Sequence, residues 1–136
     1  MKNFLLILIA SLFVVSCNNS AKETEVNNSN TQEQLQGAWY TTTLEANGQV
    51  IYTKEHPEAL SSFVFKDDKV KLIQMGNHSE NGGTYKVSND TIYIFDIITS
   101  QRVMALKIDS LSETNFDITV LDNQNVKMKM ERMKDE

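Results

Sequence analysis

The 136-residue chain is poor in the residues that carry most recognisable chemistry: one cysteine, one proline, one tryptophan, two histidines and five glycines. Each shortage excludes something. A single thiol, Cys17, cannot make a disulfide framework, so stability must come from a packed core. His56 and His78 both fall in polar stretches. A zinc centre needs three or four ligands at ordered spacing, so no metal site is expected. No Gly-x-Ser-x-Gly elbow and no glycine-rich phosphate loop is present. Ser61, Ser62, Asp67 and His78 supply the residue types of a triad without its spacing, and Asp67-Asp68 reads as a turn. No catalytic residue and no cofactor is therefore expected, and the chain does not read as an enzyme. Acidic residues outnumber basic ones 18 to 13, giving a net charge of −5, and the lysines are dispersed. Without a basic stripe there is no footprint for nucleic acid, and the acidity serves solubility first.

What is present begins with a sharply zoned N-terminus. Lys2 supplies an early positive charge, residues 4–15 are apolar except for Ser11, and polarity returns at Asn18. That order describes a secretory signal. The apolar run falls short of the roughly 20 residues that span a bilayer, and it has no polar face for a core helix. Its end, Val14-Val15-Ser16-Cys17, resembles a bacterial lipobox. The resemblance implies lipid attachment to Cys17 and cleavage before it, with residues 1–16 as signal peptide. Two or more acyl chains (palmitate among them) would hold the protein stably on a membrane. Asn18 is not the aspartate that retains lipoproteins in the enteric inner membrane, so the expected location is the cell envelope, at the outer membrane.

Residues 17–34 then read as a lipidated, flexible tether. They are almost wholly polar, which leaves too little apolar surface to offset chain ordering. As a coil this segment would hold the following domain roughly 20–25 Å from the lipid.

From residue 35 to 136 the composition changes to short runs of Val, Ile, Thr, Tyr and Phe, which is the composition of strands. Strands are expected at 38–44, 49–53, 62–66, 69–75, 83–88, 91–96, 102–110, 115–121 and 125–131. Asn47-Gly48, Asp67-Asp68 and Asn89-Asp90 form tight turns, while residues 54–60, around Pro57, and 76–83 form longer loops. Alternation is clear in Val126-Lys127-Met128-Lys129-Met130, and period two means one dry face and one wet face. The fold class is thus all-β, an antiparallel up-and-down meander of eight or nine strands. Closure into a small β-barrel would remove its exposed edges, and an open sheet or sandwich is the alternative.

Gly37-Ala38-Trp39 opens the first strand, and Gly82-Gly83-Thr84-Tyr85-Lys86-Val87 leads through Asn89-Asp90 into Thr91-Ile92-Tyr93-Ile94. These residues resemble the Gly-x-Trp start and central hairpin of bacterial lipocalin-like lipoproteins of the calycin type. The resemblance implies a barrel holding a small apolar ligand, with Trp39 closing one end under a basic residue from the last strand. Arg132 has the parity for that role. Candidates for core or lining are Trp39, Phe63, Phe65 and Tyr85, together with Tyr93, Met104, Phe116 and Met128. The methionines Met75, Met104, Met128, Met130 and Met133 could give a deformable lining, could fill the core, or could bind a soft metal. Two functional readings remain open: ligand binding inside the barrel, or an envelope scaffold acting through loops 54–61 and 76–83.

Overall fold

A computed structural model describes residues 19–52, 61–74, 79–123 and 125–134. One helix, α1 (Asn19–Leu35), precedes nine strands. These are β1 (Gly37–Ala46), β2 (Gln49–Tyr52), β3 (Ser61–Lys66), β4 (Lys69–Gln74), β5 (Ser79–Ser88), β6 (Thr91–Asp96), β7 (Arg102–Leu111), β8 (Asn115–Val120) and β9 (Val126–Arg132). Every paired strand is antiparallel, and β1 also pairs with β9, so the sheet closes on itself. β2 and β3 both lie along the β1 edge opposite β9, at residues 44–46 and 37–40. They are successive pieces of one barrel position, which makes the ring eight-stranded. The meander is therefore a closed barrel and not an open sheet.

Turn chemistry sets the register. Asn47 and Gly48 have φ of 54° and 76°, the left-handed pair that a two-residue hairpin needs. Asp67 and Asn89 take φ of 57° and 55°, a region their short polar side chains tolerate. One boundary differs from the sequence reading. Residues 79–82, expected in a loop, belong to β5, where Gln74 pairs with Ser79 and Leu72 with Asn81. The cross-strand ladder overrides a polar composition that alone favours a loop.

The larger correction concerns the tether. Residues 19–35 form a helix, and the disordered reading of this segment is wrong there. Composition misleads because α1 gains its stability from docking, not from an apolar stripe. Leu35 is fully buried in the barrel core. The Trp39 indole donates to the Leu35 carbonyl at 2.8 Å, and the Arg132 guanidinium donates to the carbonyls of Gln34 (2.7 Å) and Gln36. A helix C-terminus has unsatisfied carbonyls and a partial negative charge, and a cation there meets both needs. The Gln32 side chain donates to the Asp67 carbonyl at 3.3 Å, and Asn28 Oδ1 accepts from the Asn89 amide at 2.9 Å. The helix thus lies across two turns at one end of the barrel.

Leu35 is where this docking is testable. Leu35→Ala should lower unfolding stability by about 2–4 kcal/mol, as for a buried leucine. A urea midpoint unchanged by the substitution would mean that the helix is not part of the folded unit.

Candidate functional site

The two ends of the barrel are built differently. At the helix-bearing end the interior is packed with rings. Trp39 and Phe116 lie 5.4 Å apart between centroids, Phe65 and Tyr85 5.0 Å, Phe65 and Phe116 6.2 Å, and Phe63 and Phe65 6.1 Å. The Arg132 guanidinium carbon sits 4.1 Å from the Trp39 ring centroid, and the two residues face each other across the β1–β9 pairing. Arg132 Nε also donates to the Glu113 carbonyl at 2.6 Å. Gly37 makes this possible. Its φ is +114°, and a Cβ there would stand 2.7 Å from Arg132 Nη1. The glycine and tryptophan of Gly37-Ala38-Trp39 therefore act together, one admitting the guanidinium and the other supporting it.

Tyr85 closes the same end from the opposite wall. Its hydroxyl donates to the Asp67 carbonyl at 2.9 Å and accepts from Gln36 Nε2 at 2.8 Å, while Gln36 Oε1 accepts from the Asp67 amide at 2.7 Å. Burial raises the Tyr85 pKa above the ordinary phenol value of 10.0, against the lowering effect of the Gln36 and Gln32 hydrogen bonds.

Between β3 and β7 the interior is not filled. A cleft of about 460 Å³ is walled by Phe63, Val70 and Leu72 on one side, and by Ile94, Met104 and Val103 on the other. Gly82 and Gly83 of β5 line it as well, with the Asp96-Ile97-Ile98 stretch at its mouth. Glycine at 83 is required. A Cβ there would lie 2.5 Å from the Phe95 carbonyl oxygen. At 82 a Cβ would meet open space, so the missing side chain leaves room beside the cleft. Among the described residues the side chains of the walls are apolar apart from Asp96, whose carboxylate is held below the ordinary range by the Thr99 and Ile98 amides and the Thr99 hydroxyl.

The sequence candidates separate between these two regions. Phe63 and Met104 wall the cleft. Trp39, Phe65, Tyr85, Phe116 and Met128 are buried in the packed core. Tyr93 does neither. It pairs with Lys86 and Ala105 between the inward-facing Ile92 and Ile94, so it is on the outer face. Aromatic character suggested a lining role, but period-two parity excludes it. The described methionines do not gather at one point: Met104 is on the cleft, Met128 and Met130 are in the core, and Met133 is half exposed. Among the described residues no three His, Cys, Asp or Glu side chains group as metal ligands. Cys17, Met75, His56, His78 and most of loop 54–61 lie outside the described residues, as do residues 1–16. Sequence reasoning missed Val70, Leu72, Ile94, Val103 and the Ile97-Ile98 pair. The signal for the last was two adjacent isoleucines in a turn, where polar residues are usual.

No protein-family model and no curated protein sequence matches this chain. Among solved structures, a lipocalin-like protein from Bacteroides uniformis is similar, with a TM-score of 0.58 at 12% identity. That match covers 74% of this chain and 99% of the other. The fold is lipocalin-like. At so low an identity the shared property is the barrel itself, and what a lipocalin-like barrel binds is set by its own walls.

The buried phenol at the closed end of this lipocalin-like barrel gives a pH test. A pKa raised by folding means the native state holds its proton more tightly than the unfolded chain. Its contribution is therefore complete below about pH 10 and is lost as pH rises through the raised value. Stability of the native chain should fall more steeply above pH 10 than that of Tyr85→Phe, although the variant starts about 1 kcal/mol lower from its lost hydrogen bonds. Parallel curves would reject the buried, proton-holding role of Tyr85.

Proposed function

We propose that this protein is a membrane-tethered lipocalin-like module that binds a small apolar or amphipathic molecule in the cleft between β3 and β7. The cleft carries the reading. Its volume of about 460 Å³ lies within the range of small-molecule sites, roughly 300–1,000 Å³, and its walls are mainly apolar, with a polar minority from Asp96 and the backbone. Water in such a space finds few polar partners, so displacing it by an apolar group is favourable. Rigid rings fill the far end, which limits the depth to which a ligand enters. Trp39 and Arg132 act as the closing pair of that end and take no part in contacting ligand. Among the described residues the walls hold no nucleophile paired with a base, which fits a role of binding without catalysis.

The anchor belongs to the same proposal. Val14-Val15-Ser16-Cys17 followed by Asn18 supports lipid attachment at Cys17 and an outer-membrane location. Cys17→Ser should move the protein from the detergent phase to the aqueous phase in a cloud-point separation. A variant that partitions as the native chain does would remove the anchor from the model.

For the cleft, the protein is extracted in mild detergent, exposed to a lipid extract of its own cells and weighed by native mass spectrometry. A discrete added mass is expected, and Leu72→Trp, which fills the cleft, should lose it at a stability cost of no more than about 3 kcal/mol. A bare mass in every extract would overturn ligand binding and make the barrel an envelope scaffold that works through its loops.

A further inference from the structure

The β6–β7 turn places its apolar residues in solvent. Ile98 is 88% exposed, Ile97 55%, and Val103, which follows the turn on β7, 58%. A mobile loop could fold such side chains away, but this one is pinned. Asp96 Oδ1 accepts from the Ile98 amide (2.9 Å), the Thr99 amide (2.7 Å) and the Thr99 hydroxyl (3.0 Å). The Ser100 amide donates to the Asp96 carbonyl at 2.9 Å, and the Asp96 amide to the Gln101 carbonyl at 2.8 Å. The Gln101 amide reaches Thr99 Oγ1 at 3.3 Å. The backbone that presents the isoleucines is thus fixed by the turn's own hydrogen bonds.

We infer that this turn is a membrane-contact tip, through which the cleft takes its ligand directly from the surface of a lipid bilayer. Three observations choose a bilayer over other partners. First, the apolar rim is continuous with the apolar cleft, since Ile97, Ile98 and Val103 are walls of both. An apolar molecule leaving a membrane across this rim would never be fully exposed to water. Second, residues 97–101 (Ile-Ile-Thr-Ser-Gln) carry no charge. The charges that flank it in sequence are both bonded: Asp96 by the turn, and Arg102 by Asp122 at 3.3 Å. Third, every amide from 98 to 101 already has an acceptor within the turn. Entry into lipid requires backbone donors to be satisfied internally, whereas addition of a partner strand requires them free. The chain's net charge of −5 further favours a zwitterionic surface over an anionic one. This inference rests on the ligand-binding reading for its purpose, but not for the contact itself.

The test uses full-length chains carrying Ile98→Cys or, at the opposite end of the barrel, Glu113→Cys. Each is labelled with a polarity-sensitive fluorophore, and the unsubstituted chain reports any free Cys17 thiol. Phosphatidylcholine vesicles with a shallow nitroxide quencher are presented in two ways, as the vesicles holding the protein and as separate vesicles added to it. The label at 98 should shift to the blue and be quenched in at least one arrangement, while the label at 113 is quenched in neither. Adding Ile97→Asp should cut the quenched fraction about tenfold or more, the loss expected from one buried isoleucine. A label at 98 that stays unquenched in both arrangements overturns the inference, including the case where it is shielded by protein. Quenching reads contact and not cargo. A quenched tip on a protein bare by mass spectrometry would therefore sink the ligand reading and the uptake route with it, leaving the membrane contact standing, and a loaded protein with an unquenched tip would sink the contact.

Discussion

Everything in this molecule depends on β1 meeting β9. A meander with short turns always leaves two edges of unpaired amides and carbonyls, and pairing the first strand with the last removes both. Closure also brings the two ends of the domain together, so that Trp39 faces Arg132 across the seam. Closing the wall creates a second demand, because a tube has two open ends. At the seam the demand is met by Trp39 as a floor and Arg132 as a cross-piece, with Gly37 leaving the room the guanidinium occupies. Arg132 then has donors left over, and the carbonyls ending α1 accept them. The helix is held in place by an interaction whose first consequence is to seal the barrel.

The other end has no such plug among the described residues, and its chemistry differs accordingly. The ring cluster stops at Phe63, and beyond it β5 contributes glycines where a side chain would have filled space. The Gly83 requirement comes from the close approach of the Phe95 carbonyl, so the backbone geometry of the β5–β6 pair itself prevents the cleft from being filled there. A ring-packed end closed under Arg132 and an open apolar cleft give the barrel a direction, with the cleft opening away from α1.

Much of the barrel was legible because its signals are local. Asn47-Gly48, Asp67-Asp68 and Asn89-Asp90 mark turns through backbone preferences that little else supplies, and alternation in β9 assigns its faces without knowledge of partners. Arg132 could be assigned to the inner face by counting from Val126. The helix was not legible, because residues 19–35 lack an amphipathic pattern and gain their order from contacts 30 to 100 positions away, such as Gln36 with Asp67 and Gln34 with Arg132. Such contacts leave no mark on local composition. The cleft was half legible. Parity selects the inward residues, but whether Phe63 or Phe116 borders empty space depends on how the walls converge, and only Phe63 does. Tyr93 shows the opposite error, with residue type allowed to outweigh parity.

The exposed isoleucines finally bear on why the cleft opens where it does. A barrel selected only for stability would carry polar residues at a turn such as 97–101, because that is the easiest place to put them. Here the turn devotes a carboxylate and a threonine hydroxyl to holding its own backbone, and the side chains it displays are the two least suited to water. Rigidity matters energetically: a turn already fixed gives up little conformational entropy when its tip becomes buried, so more of the apolar gain is retained. The backbone of the solvent-facing rim is therefore set by one hydrogen-bonded turn, and Asp96, the only charged residue in the walls among the described residues, is the group that holds it.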